Sequence, residues 1–367
     1  MGASAQRFGV EEEYLILNPE TGQPENRATK LIHMAPHVRD RADREFFECQ
    51  LETATPVCED LSEATESLNS FRREMMAAAR EDGVLLAGVG MPPAGGEVAG
   101  LITAKRRYRE IKAATRQVSR QKYVTGTHVH VEIPSRDAGV EVLARMTRWV
   151  PVLLALTANS PIWAEHPTGF ASWRHVHDLS WPVSGYPPAL ADAADYDRVL
   201  ERLVQSGIIR DSGLVNWSAR LSSDYPTVEL RIADAQLSAS DAVSFAGIVR
   251  ALVRHEIAEF EAGVPRVDIY PALVSGATWL AARDGLLGDL VDPLTGVSQP
   301  AFNVVDMLVE RIEEELNDAR DYDRVTRYIA ELRRDGGPAA QQVKAYETDG
   351  MLGLLELFRS RFVAEDE

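Results

Sequence analysis

Thr125-Gly126-Thr127-His128-Val129-His130-Val131-Glu132-Ile133 is the stretch on which the reading of this chain turns. Successive side chains of a strand point to opposite faces. A strand here sets His128, His130 and Glu132 on one face and Val129, Val131 and Ile133 on the other. The apolar face belongs to a core. The opposite face carries groups that bind metals or donate to phosphate, and it lacks the Ser, Lys or Gln filler of a merely solvated surface.

Three further segments repeat the device. In Gly9-Val10-Glu11-Glu12-Glu13-Tyr14, Glu11 and Glu13 share a face with no adjacent Lys. In Thr227-Val228-Glu229-Leu230-Arg231-Ile232, Val228, Leu230 and Ile232 point inward and Glu229 and Arg231 stand together on the polar side. In Glu45-Phe46-Phe47-Glu48-Cys49-Gln50-Leu51-Glu52, Gln50 and Glu52 share a strand face, with Glu45 and Glu48 leading into it. A solvated edge strand explains the first alone, and an in-strand ion pair the second. If all four strands lie in one sheet, their faces converge on more negative charge than a fold leaves unbalanced, because uncompensated buried charge is costly. Mg²⁺ bridging a polyphosphate would neutralise it, with Arg231 and Arg220 gripping the remaining phosphate or carboxylate oxygens.

The chain has 367 residues, enough for one large domain or two. Hydrophobic residues make up 45% and charged residues 26%, which excludes a disordered or fibrous chain. With 56 Asp and Glu against 39 Lys and Arg, the net charge of −17 disfavours a nucleic-acid reader. No window reaches the ~18 apolar residues of a membrane span, and residues 1–7 lack a secretory apolar run, so no membrane partner and a cytoplasmic location are expected. Cys49 and Cys58 are too few and isolated for a metal knuckle or disulfide framework.

Along the chain, strands are expected at 7–17, 50–55, 84–89, 123–133 and 227–233, and helices at 62–81 and 140–158. A Gly- and Pro-rich mobile loop is expected at 90–100, and a long irregular stretch holding Trp163, Trp173 and Trp181 at 160–188. From residue 240 onward nearly everything reads as helix: 241–262, 271–283, 302–316, 321–334 and 350–362. Strands early and helices late give an α+β fold, and the lack of a Pro- or Ser-rich linker favours one continuous domain over 1–367. No P-loop, dinucleotide fingerprint or nucleophile elbow occurs. His128-x-His130 matches a motif of metal-dependent hydrolases, though the motif is short.

Taken in order, Phe8-Gly9-Val10-Glu11-Glu12-Glu13-Tyr14, Leu51-Glu52-Thr53-Ala54-Thr55-Pro56, Gly126-Thr127-His128-Val129-His130, Thr168-Gly169-Phe170-Ala171-Ser172-Trp173-Arg174 and Thr227-Val228-Glu229-Leu230-Arg231 resemble the glutamate-cysteine ligase family, most closely its YbdK-type carboxylate-amine ligases. The likeness runs from about 7 to about 253, and the helical C-terminus adds little. It implies a glutamine-synthetase-like fold, a curled and mostly antiparallel sheet forming an active-site funnel with helices packed on its outer face. It implies ATP with Mg²⁺, or Mn²⁺ in its place, held by Glu11, Glu13, Glu45, Glu52, His128 and Glu229. Arg231 with Glu229 would face the transferred phosphate, and Arg220, Arg174 and His130 would bind the nucleotide or an anionic substrate.

The implied activity is an ATP-dependent carbon–nitrogen ligase that joins a small carboxylate, glutamate or an analogue, to an amine, cysteine or another, through an acyl phosphate. A homo-oligomer is part of the same expectation. Two departures from the family pattern, Gly88-Val89-Gly90-Met91-Pro92 and Glu132, fall where an acceptor amine or carboxylate donor would be recognised. Two competing readings make different demands. A hydrolase needs His130 as well as His128 and turns over without nucleotide. A noncatalytic nucleotide or amino-acid binder releases no ADP.

Overall fold

The computed structural model describes residues 6–95 and 100–363. The four segments singled out above do share one sheet. Its strands are β1 (Phe8–Leu17), β2 (Ala42–Arg44), β3 (Gln50–Ala54), β4 (Leu85–Ala87) and β5 (Gly126–Glu132), followed, after the short hairpin of β6 (Ile162–Trp163) and β7 (His166–Pro167), by β8 (Ala219–Leu221) and β9 (Thr227–Asp234). A second small hairpin, β10 (Asp289–Val291) with β11 (Ser298–Pro300), lies among the C-terminal helices. The main order is β2-β3-β1-β5-β9-β8, with β4 pairing the far end of β1, and every pair is antiparallel. The sheet stays open rather than closing into a barrel.

One face of the sheet is the core. Phe8, Val10, Val129, Val131, Val228, Leu230 and Ile232 pack against the helices Arg136–Met146, Val150–Thr157 and Ala239–Glu261. Full burial of each such side chain contributes about 1.5–3 kcal/mol before the entropy of ordering it is set against that gain. The helix Leu61–Asp82 packs Phe71 and Met75 against Tyr14, Ile16 and Leu51. Asp60 starts this helix by accepting from the Ser62 and Glu63 N–H groups at 2.8 and 3.0 Å, and Gly83 stops it at φ 75°.

Several expected boundaries shift. The single helix over 140–158 is two helices joined by a 3₁₀ turn at Thr147–Trp149, because Pro151 has no N–H to continue the ladder. The helix over 302–316 breaks at Ile312 into Ala301–Arg311 and Glu313–Ala319. The last helix begins much earlier, at Gly337, and kinks at Asp349 and Gly350 before ending at Phe362. The stretch 160–188 holds the β6–β7 hairpin and the helix Trp173–Asp178. Of the loop expected to be mobile, residues 91–94 are buried instead, and 96–99 lie outside the described residues. Among the described residues no helix is long and apolar enough to cross a membrane.

Candidate active site

The polar face is assembled around β1. In register, Glu11 sits opposite His128 on β5, and Glu13 opposite Glu52 on β3. Beyond β5, β9 sets Glu229 opposite His130, and β8 sets Arg220 opposite Glu229. Glu45 follows directly after β2. Of these side chains Glu13, Glu45 and His128 line a cleft whose walls also include Arg174 and Arg231.

In one half of the face each carboxylate has a close partner. Glu11 Oε2 lies 3.0 Å from His128 Nδ1, and its Oε1 3.2 Å from His130 Nε2. Burial alone would raise the Glu11 carboxyl, but the two imidazoles hold it well below the usual carboxylate range. Glu229 accepts from Arg220 Nε at 2.6 Å and Nη2 at 3.3 Å, and also from Arg231 Nη1. The two guanidiniums overcome its burial and keep it ionised.

The other half is unpaired. Burial first and Glu45 second push the Glu13 carboxyl up to about 7, although the Gly126 N–H donates to it at 2.7 Å. Burial together with Glu45, Glu13 and Glu11 pushes Glu52 well above its ordinary value, and among the described residues Glu52 makes no ion pair. Like charges set directly opposite across a strand pair are destabilising. This half has the charge deficit that a cation would fill.

His128 stands between the halves. Burial and then Arg231 pull it down to about 4, so at neutral pH the imidazole is uncharged and able to ligate. With its Nδ1–H given to Glu11, Nε2 keeps a lone pair on the side of Glu13, whose Oε1 is 3.9 Å away. Ligand atoms of Glu11, His128 and Glu229 lie within 4.8 Å of one another, as do those of Glu13, Glu52 and His128. Carboxylate oxygens with one nitrogen suit Mg²⁺ or Mn²⁺ better than a soft metal. Five of the six expected metal ligands thus form two overlapping triads. Glu45 falls outside both and stands on the cleft wall, accepting from the Phe46 N–H at 2.9 Å and the Tyr108 hydroxyl at 3.4 Å.

The remaining expected residues are distributed as follows. His130 Nδ1 meets Thr227 Oγ1 at 3.0 Å, while its Nε2, close to Glu11 but off the hydrogen-bond direction, is buried without a hydrogen-bond partner. Arg174 lines the cleft with its guanidinium braced on the Ile232 and Arg231 carbonyls, both at 3.2 Å. Glu132, although on the same alternation, pairs with Arg7 at the end of β5 and is not a cleft residue. Glu48 accepts from Thr29 Oγ1 at 2.7 Å and from Arg44, away from the triads.

Three residues about the site were not singled out in the sequence. Asp234, at the end of β9, accepts from the Asn159 N–H, Ser160 Oγ and Ser172 Oγ at 2.8, 2.7 and 2.9 Å, and lies 3.7 Å from Arg174. It fastens the helix carrying Arg174 to the sheet. An acid directly after the inward pair Ile232-Ala233 was the one available signal. Lys122 and Asp178 also line the cleft, and no motif marks them.

Solved structures share this architecture. The bifunctional glutathione synthetase from Pasteurella multocida superposes with a TM-score of 0.71 at 15% identity over 97% of this chain, which spans about half of that protein (52%). The glutamate–cysteine ligase from Francisella tularensis, solved in complex with AMP, gives 0.69 at 13% identity, with 99% of this chain and 90% of that one covered. The fold is that of the glutamine-synthetase-like ligases. In sequence, the model described as Glutamate-cysteine ligase family 2 (GCS2) matches residues 7–356. A Mycolicibacterium vanbaalenii protein named "Putative glutamate–cysteine ligase 2-2" is 37% identical over 339 residues, covering 92% of this chain and 93% of its own. A Salinispora tropica protein named "Putative glutamate–cysteine ligase 2" is 37% identical over 344 residues, covering 94% and 91%. The chain belongs to glutamate-cysteine ligase family 2 and is an ATP-dependent carbon–nitrogen ligase. The match reaches well beyond residue 253, through the C-terminal helices.

Proposed function

We propose that the protein joins a small carboxylic acid, glutamate or an analogue, to an amine, cysteine or another, by way of an acyl phosphate. The observation that carries this reading is the division of one sheet face into a carboxylate pair with no Lys or Arg in ion-pair contact among the described residues, Glu13 and Glu52, beside guanidiniums already oriented by Glu229. Oxide is too poor a leaving group for direct amide formation, so the carboxylate must be activated. In this reading it attacks the γ-phosphate in line, ADP departs, and the amine then displaces phosphate.

Glu11, Glu13, Glu52, His128 and Glu229 would hold the metal, with Glu45 reaching it from the cleft wall. Bound there, Mg²⁺ supplies positive charge to the polyphosphate and to the charge developing in transfer. Arg231, fixed by Glu229, stabilises the transferring phosphoryl group. Arg174 and Arg220 hold anionic oxygens of nucleotide or substrate, and His130 faces the nucleotide with its unpartnered Nε2. The chain's contribution is positioning and a preorganised field.

The test is ADP release measured with Mg²⁺ while amino acids as carboxylate donors are crossed with amines. The expected result is ADP and amide formed together for at least one pair and abolished by chelation. Turnover without nucleotide, or nucleotide binding with no ADP from any pair, overturns the reading.

A further inference from the structure

The helix Arg106–Thr115 and the 3₁₀ turn Val118–Gln121 carry a charge pattern that the site described above does not use. Residues 105–122 hold eight Lys and Arg against the single acid Glu110, a net of +7 inside a chain of −17. A charge run of this kind is ordinarily a solvated face whose members pair with their neighbours. Part of it does pair. Lys105 meets Asp43 at 2.8 Å, Arg106 meets Glu110 at 2.8 Å, and Arg107 meets Asp211 at 2.8 Å. Arg109, Lys112, Arg116 and Arg120 are all exposed and form no ion pair among the described residues.

The placement is what gives the run meaning. Tyr108 touches Glu45 on the cleft wall, Ile111 packs in the aromatic cluster of Phe46, Phe47 and Trp181, and Lys122 itself lines the cleft with its ammonium 4.3 Å from the Trp181 ring centre. Opposite, the Arg107–Asp211 and Arg210–Glu110 pairs join the segment to the stretch leading to Asn216, Trp217 and Ser218 on the other wall. The segment that carries the unpaired cations is therefore joined to a cleft wall through Tyr108, Ile111 and Lys122, on a molecule whose overall field repels anions. At about 0.1 M salt a charge is felt over roughly 10 Å, so a local cluster can dominate the approach even where the total charge has the opposite sign.

We propose that Arg109, Lys112, Arg116 and Arg120 form an electrostatic entry rim that gathers small anionic substrates, the magnesium–nucleotide complex first among them, toward the cleft, with Lys122 as its inner end. This rests on the proposed function for the identity of the anion. The rim acts on encounter and touches no reacting atom.

The test is stopped-flow association of N-methylanthraniloyl-ATP with Mg²⁺, at low and high ionic strength, on the parent and on the variant Arg109→Gln/Lys112→Gln/Arg116→Gln/Arg120→Gln. Circular dichroism checks that Ile111 still anchors the helix. A second variant, Arg327→Gln/Arg333→Gln/Arg334→Gln/Arg359→Gln, removes the same charge on the remote C-terminal helices. The expected result is an association rate constant about fivefold or more lower in the rim variant at low salt, within the range over which steering acts. Dissociation should be unchanged, parent and rim variant should converge at high salt, and the remote variant should be close to the parent. Equal association rates for parent and rim variant at low salt, or equal slowing in the remote variant, overturn the rim. A lowered kcat with unaltered association would place the helix in the site instead and also overturn it. A parent that binds no nucleotide removes the proposed function and the rim together.

Discussion

Glu13 and Glu52 sit in register on β1 and β3, and their burial beside Glu45 sets how the metal-free protein responds to pH. The folded chain holds the Glu13 proton up to about 7, whereas an unfolded glutamate releases it near 4.5. Between those values the folded state binds more protons, so stability falls as pH rises and then levels off. Melting in chelator should therefore give a lower Tm at about pH 8 than at about pH 5. Glu52→Gln should flatten that decline and raise the Tm at the upper pH while cutting ADP formation by orders of magnitude. A Glu52→Gln protein that melts well below its parent would instead make Glu52 a structural partner. Because ligation requires these carboxylates ionised, Mg²⁺ should release protons on binding, which calorimetry in buffers of different ionisation enthalpy detects. Arg231 poses a separate question, since it contacts both Glu229 and His128. Arg231→Lys retains the charge but loses the planar fork. Steady-state kinetics at saturating ATP should show kcat falling about 10²-fold or more with ATP affinity changed far less, the scale of losing one preorganised donor. Near-parental kcat would reduce Arg231 to an ion-pair partner.

At the scale of the elements, β5 and β9 meet the helix carrying Arg174 with almost no spare room. A Cβ on Gly126 would lie 2.6 Å from Arg174 Nη2 and 3.0 Å from the Ala233 carbonyl. Gly126→Ala should cost about 1–3 kcal/mol in urea unfolding, and should lower ADP release further than that loss of stability explains, because Arg174 must move. Unchanged activity would show that Arg174 does not need its present seat. The same elements show what could be read in advance. The alternations of His128 with Val129 and of Glu229 with Leu230 declared both faces, since one face is buried against helices and the other collects like chemistry. The three-residue strands β2 and β8 were too short to carry any period, although β8 supplies Arg220 and β2 ends beside Glu45. Glu12 was hidden for a different reason. Its partner Arg72 lies sixty positions away on the helix Leu61–Asp82, and local spacing says nothing about such a pair. The break near Pro151 follows from its missing N–H, whereas the one at Ile312 has no comparable signal in the sequence.

Across the whole molecule, Arg72 is the tie between sheet and C-terminus. Fully buried, it donates to Glu12 Oε2 at 3.0 Å, to the Gln236 and Leu237 carbonyls at 3.0 and 2.9 Å, and to the Phe362 carbonyl at 3.1 Å. Removing one member strands the other's charge. Arg72→Met should cost about 3–5 kcal/mol by chemical denaturation, with the double variant Arg72→Met/Glu12→Gln recovering part of that loss. Equal losses for the single and double variants would show that the carbonyl contacts, rather than the ion pair, do the holding. Glu12 also gives β1 a property of parity. Glu11 and Glu13 lie on the face of the two triads while Glu12, between them, closes inward on Arg72, so three consecutive identical residues perform two opposite tasks by odd and even position alone. Deleting or inserting one residue within Phe8–Leu17 would exchange those tasks for every position on one side of the change. It would bring Glu12 into the cleft, bury Glu11 and Glu13 against the helices and turn Tyr14 and Ile16 outward. Length variation along this lineage should therefore fall in the turn at 18–25, where parity has no meaning, and never inside the strand.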